Sequence, residues 1–184
     1  MRRQGYRDYG SGRFCLLQID DAAGCNRKMS ADEFQIAPAG SSDLDEMLAL
    51  LTVVGLPPEG VAEHLQGFVV ARDANGRLVG SAGIERHGVF GLLRSVAVGP
   101  DLQRSGLGSR LVAEVLDIAA NVGVGEVVLL TTTARDFFSH RFKFEETTRA
   151  DYDARFAASA EWKLPRCSSA VVMRLKLTPM EASA

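Results

Sequence analysis

The residues best suited to chemistry form one short run, Gln103-Arg104-Ser105-Gly106-Leu107-Gly108. It follows an apolar stretch and opens a segment with helical spacing. Two glycines let the backbone come close to a ligand, and the first amides of a helix point outward without partners of their own. Together they suit an anion such as a pyrophosphate. Two familiar phosphate loops are excluded. A P-loop needs Lys and then Ser or Thr after its last glycine, but Ser109-Arg110 stands there. A dinucleotide fingerprint needs a third small residue three positions on, where Leu111 stands, and it follows a βαβ unit rather than hairpins. A plain glycine turn opening a surface helix is the alternative use of the same residues.

The elements that must hold this loop alternate along the chain. Phe34-Gln35-Ile36 predicts a short strand. Leu44, Met47, Leu48 and Leu51 predict a helix over 43–54, capped by Ser42. Gly55-Leu56-Pro57-Pro58 breaks it, and a second short helix is expected over 58–65. Strands over 68–72, 78–86 and 92–98 follow in antiparallel succession, the first two joined at Asn75-Gly76. After the glycine loop, Leu107, Leu111, Val115 and Ile118 repeat at helical spacing to about Asn121. The remaining pattern predicts a buried strand over 126–132, a helix over 134–141 and a strand over 142–147, then a helix over 151–162 and a last strand over 170–177. This is an α/β arrangement of about seven strands in a mixed sheet with flanking helices.

The residues around the loop carry a resemblance. Leu93-Arg94-Ser95-Val96-Ala97-Val98, then Gln103-x-x-Gly106-x-Gly108, a long helix and a strand resemble the GNAT superfamily of acetyltransferases. Further stretches are similar to the small GNAT proteins named for arsenic resistance and to short amino-acid N-acetyltransferases of the N-acetylglutamate synthase type. They are Gly55-Leu56-Pro57, His64-Leu65-x-Gly67-Phe68, Gly83-Ile84-Glu85, Leu129 to Ala134, Phe137-Phe138, and Ser159-x-Glu161-Trp162-x-x-x-Arg166-Cys167-x-Ser169-Ala170. The likeness covers about residues 34–177. It implies acetyl-CoA as cosubstrate, an amine as acceptor and no metal. Its implied cofactor contacts are Val96, Ala97 and Val98 with Gln103, Arg104, Ser105, Gly106, Leu107, Gly108 and Ser109. The amide near Val98 is the implied oxyanion donor. Many relatives place a Tyr on the helix after the fifth strand to reprotonate the thiolate. Here Phe138 or Ser139 stands there, so Ser139 is the remaining side-chain candidate.

Other residues admit two uses. Glu85 is either the base that takes the ammonium proton or a solvated strand carboxylate. Arg94, among Leu92, Leu93 and Val96, either anchors an acceptor carboxylate or pairs with Glu85. Ser95 faces away from Arg94 unless the strand bulges. Thr131 and Thr132 end the fifth strand and are acceptor-binding candidates, although β-branched residues favour strands anyway. His64 and His87 read as surface or turn residues.

The rest is exclusion. A formal charge of -2 gives no basic field for nucleic acid, and no apolar run approaches the ~20 residues of a membrane span. Three cysteines, Cys15, Cys25 and Cys167, make neither a disulfide framework nor a zinc site, so a reducing, cytoplasmic setting is expected. Residues 1–30 hold six basic and three acidic side chains without sustained periodicity. They are expected to be a tail before a domain over 31–178, with 179–184 a second tail. A homodimer is compatible with this reading. Glutamate acetylation and a non-catalytic CoA-binding module are the rival functions.

Overall fold

The computed structural model describes residues 34–177. The expected tails lie outside the described residues. Seven strands form one sheet in the order β1-β2-β3-β4-β5-β7-β6. They are β1 (Gln35–Pro38), β2 (Phe68–Arg72), β3 (Leu78–His87), β4 (Phe90–Val98), β5 (Glu126–Thr131), β6 (Glu145–Thr147) and β7 (Val171–Lys176). Every pairing is antiparallel except that of β4 with β5.

Alternation along the strands sorts side chains onto two faces. Val69 and Ala71 of β2, Leu93 of β4 and Val127 and Leu129 of β5 pack with α2 (Leu107–Asn121) and with Phe138 of α3 (Arg135–Phe142). On the other face Phe68, Val70 and Ala97 meet Met47 and Leu51 of α1 (Leu44–Val54). Beyond them Leu92, Val128 and Val172 meet Tyr152, Phe156 and Trp162. This second face therefore holds two apolar clusters side by side.

Two expected helices are corrected. Residues 59–64 form turns, followed by a single 3-10 turn at Leu65–Gly67. Gly60 adopts φ 80°, outside any helix, and a Cβ there would lie 2.9 Å from Arg94 Nη1. The backbone is thus pressed against a buried side chain instead of coiling. Residues 151–162 are likewise a run of turns. Tyr152 and Phe156 have helical spacing, but the chain is tied down at Ser159, whose hydroxyl accepts from the Trp162 amide and donates to Glu85. Tertiary bonds override the local pattern.

Candidate active site

The parallel pairing of β4 and β5 ends at Leu93 and Leu129, yet β4 runs on to Val98 and β5 to Thr131. The two strands part there and leave a V-shaped gap with the backbone of residues 94–98 along one wall. A bulge starts at the same place. Gly83 pairs with Arg94 and Ser81 with Ala97, so Ala82 opposes both Ser95 and Val96. Ser95 takes φ 53°, and its carbonyl turns to accept from Ser81 Oγ at 3.1 Å. The extra residue re-aims the strand beyond it. Val96 and Val98 then pack on the α2 face and Ala97 on the α1 face.

The glycine loop follows directly. Arg104 and Gly106 adopt φ 68° and 89°, and α2 starts at Leu107. Ser105 Oγ accepts from the Leu107 amide at 3.3 Å. Among the described residues, the amides of Arg104, Gly106 and Gly108 meet no backbone or side-chain acceptor. A Cβ on Gly108 would meet only Val98, at 3.6 Å, so the space before the helix is not filled by protein. Gln103, Arg104 and Gly106 are exposed, while Ser105 and Ser109 are half-buried. The result is a cradle of outward donors at the positive end of a 15-residue helix.

On the opposite face, at the apex of the gap, charge is buried. Glu85 and Arg94 both have fully buried side chains, with Arg94 Nη1 donating to Glu85 Oε2 at 3.0 Å. Arg94 Nη2 donates to the Glu59 carbonyl. Its Nε lies 2.9 Å from Glu161 Oε2, although the alignment makes no hydrogen bond. His64 and His87 converge on Glu85 Oε1 at 3.2 and 2.9 Å, and Ser159 Oγ donates to Oε2 at 3.1 Å. Burial, partly offset by Arg94, pushes the Glu161 carboxyl up to about 7. Outside this cluster, Arg166 Nη2 meets Glu59 Oε2 at 2.5 Å, joining the two irregular segments that cover it.

The structure thus brings Glu85 and Arg94 together and turns the arginine fork toward protein rather than toward a cavity. Glu85 is not a solvated strand carboxylate, because its side chain is 0% exposed. Thr131 Oγ1 accepts from the Ala134 amide at 2.9 Å at the start of α3, and Thr132 is exposed. Ser139 is half-buried on α3, next to the buried Phe138. Tyr152, the one tyrosine among the described residues, donates to Glu126 at the far end of β5 and stands away from the gap. Sequence reasoning did not single out His64, His87, Ser159 and Glu161 as a group. The sequence traces of the group are the His64-Leu65-x-Gly67-Phe68 stretch and the Ser159-x-Glu161 spacing. Among the described residues no group of three or more His, Cys, Asp or Glu is placed to hold a metal ion, and no helix is long and apolar enough to cross a membrane.

A family model described as the acetyltransferase (GNAT) family matches residues 32–144. The chain belongs to the GNAT acetyltransferase family. The match takes in the strands that part, the bulge and the whole glycine loop. Beyond the family, the chain is 26% identical over 154 residues to amino-acid acetyltransferase from Neisseria meningitidis, covering 74% of this chain and 35% of that protein. The chain therefore spans about a third of the length of the curated relatives it matches. Solved GNAT structures share the fold. N-acetylglutamate synthase from Neisseria gonorrhoeae, complexed with coenzyme A and L-arginine, superposes with a TM-score of 0.62 at 23% identity, covering 78% of this chain and 33% of that one. A Mycobacterium tuberculosis protein in complex with CoA gives 0.64 at 24% identity, covering 78% and 99%. A Staphylococcus aureus GNAT acetyltransferase gives 0.66 at 17% identity, covering 79% and 99%.

Proposed function

We propose that this GNAT protein moves the acetyl group of acetyl-CoA to the primary amine of a small amino acid or an amino-acid-like compound. The observation that carries the reading is the gap between β4 and β5, with an anion cradle on one side and buried carboxylates on the other. The cradle fits the cosubstrate. Amides of Arg104, Gly106 and Gly108 would hold the pyrophosphate, with the Gln103 and Ser109 backbone flanking them. The unpaired wall of β4 at Val96, Ala97 and Val98 would line the arm and polarise the thioester carbonyl. Acetyl-CoA supplies an activated acyl group there; the protein supplies position, charge and exclusion of water. Ser139 and Thr132 remain proposals for reprotonating the thiolate and holding the acceptor.

The acceptor class is supported by the likeness to amino-acid acetyltransferase and by the excess of carboxylates over arginine inside the cluster, which suits an ammonium. Analogues bearing phosphorus or arsenic belong to the same chemical class and join the panel to be tested on the sequence resemblance alone. Glutamate is one member, favoured by the synthase neighbour. The test uses Gly106→Val. Its residue needs φ 89°, a conformation a β-branched side chain resists, and the branch would also fill the cradle. CoA affinity by calorimetry on the full chain should fall at least a hundredfold while the fold persists by circular dichroism. Unchanged affinity would remove the cradle from the proposal. CoA release across a panel of free amino acids and alkylamines then reads the acceptor.

A further inference from the structure

Glu85, Arg94 and Glu161 put one cation between two carboxylates, all inside the protein. The two acids are not equivalent. Glu85 is already heavily engaged: Oε1 meets His87 at 2.9 Å with His64 beside it at 3.2 Å, and Oε2 accepts from Arg94 and Ser159. A carboxylate with three hydrogen-bonding partners and a second imidazole against it offers little room to an incoming ammonium. Glu161 is not saturated. Its Oε2 is sealed and unbonded, 2.9 Å from Arg94 Nε, and its side chain keeps 8% exposure that does not come from Oε2. The residual exposure lies on the rest of the side chain, while Arg94 lies against Oε2.

The groups facing Glu161 leave it with an uncompensated charge. Arg94 comes from β4 and Glu85 from β3. Arg166 and Glu59 come from the two covering segments and largely cancel each other at 2.5 Å. Cys167 lies nearby, its thiol pushed up by burial and by Glu161. His64 and His87 are directed at Glu85. One negative charge too many in a dry place calls for a proton or for a cation. An acceptor ammonium is a cation that brings its own protons.

We propose that Glu161, rather than Glu85, is the carboxylate that meets the acceptor ammonium and takes its proton. Glu85 and Ser159 are positioning residues that hold the turn carrying it. The inference rests on the acetyl-transfer reading above. The ammonium gives one proton to Glu161, and the freed lone pair forms the N–C bond to the acetyl carbon. The C–S bond breaks with its electron pair on sulfur, and the second nitrogen proton ends on the thiolate. Glu161 then returns its proton to solvent. Burial holds Glu161 near neutrality, where exchange in both directions is fast enough to serve.

Two measurements on the full chain test this. The first needs no turnover: carbon-13 NMR of protein labelled at the glutamate carboxyl carbons. One resonance should titrate near neutral pH and be missing from Glu161→Gln. Adding ethylammonium should move its midpoint down by about one unit, because a cation favours the ionised form. A neutral-range resonance that persists in the variant, or no response to ethylammonium, overturns the proposal. The second is CoA release across the amino-acid panel at pH 6 to 9. Glu161→Gln should lose about a hundredfold or more in turnover at pH 7, lose the rising limb near neutrality and recover as free amine accumulates, while CoA affinity stays within about twofold. Wild-type turnover and an unchanged pH profile in that variant overturn it. If the wild-type protein acetylates no amine but the resonance still responds to ethylammonium, the acetyl-transfer reading fails and the cation site stands.

Discussion

Glu161 carries a stability cost whose sign is set by its environment. A carboxyl held above its ordinary range keeps its proton longer in the folded chain than in the unfolded one. Its favourable contribution is complete below about pH 4.5 and is lost as pH rises toward 7. The acids around Arg72 run the other way. The Gly40 amide and Arg72 hold Asp43 below the usual range, and Arg72 does the same for Glu46, so these two stabilise above their ordinary values and fail in acid. Glu161→Gln removes the first effect and leaves the second. At pH 5 the variant should melt close to wild type. At pH 8 it should be the more stable protein by up to about 3 kcal/mol, a bound set by a raised carboxyl reaching about 7. Melting curves from pH 5 to 8 check it, and a constant difference between the two proteins would mean that Glu161 ionises freely in the fold. A residue that weakens the fold at working pH and is nevertheless buried beside the gap fits a functional use better than a structural one.

At the scale of elements, regular pieces were readable and irregular ones were not. The spacing of Leu107, Leu111, Val115 and Ile118 fixed α2, and Asn75-Gly76 marked its hairpin, because periodicity and turn chemistry are local. The loop at Gln103 to Gly108 was legible for the same reason. The bulge at Ser95 was not, because it is defined only by the partner strand. Residues 151–162 misled by offering Tyr152 and Phe156 at helical spacing. Their faces are satisfied instead by Leu92, Val128 and Val172 of the sheet, and Arg149 stacks over Trp162 at 4.4 Å. The charge cluster was invisible as a unit since it draws on β3, β4 and two separate turns. Ser159 is where that irregular segment is fastened, by one bond given to Glu85 and one taken from Trp162. Ser159→Ala should therefore cost about 1–3 kcal/mol in urea denaturation, since it orphans the buried Trp162 amide and takes one of two donors from Glu85 Oε2. A change below a few tenths would show that the turn is held by its aromatic residues alone.

Across the whole molecule, the sheet divides the interior unequally. The α2 face is one continuous apolar core, whereas the other face is split into an α1 cluster and an aromatic cluster around Phe156 and Trp162. Glu85, Arg94 and Glu161 lie on that divided face, where a protein selected for stability alone would place leucines. Buried ion clusters seldom stabilise relative to well-packed apolar residues, but breaking one by removing a single member costs about 3–5 kcal/mol. Arg94→Met should therefore be severely destabilising, because it strands two carboxylates without their cation and releases the Glu59 carbonyl. Replacing Glu85 and Glu161 with Leu in the same chain should recover most of that loss, since no charge is then left unpaired. The three sites touch one another, so their effects should be far from additive. Denaturant titration of the single and triple variants measures the recovery, and CoA release measures the function. The expected outcome is a triple variant close to wild-type stability, able to bind CoA at its intact loop and unable to acetylate any amine. A triple variant as unstable as the sum of its single changes would mean that the cluster is the fastening of this face rather than a site kept there against stability.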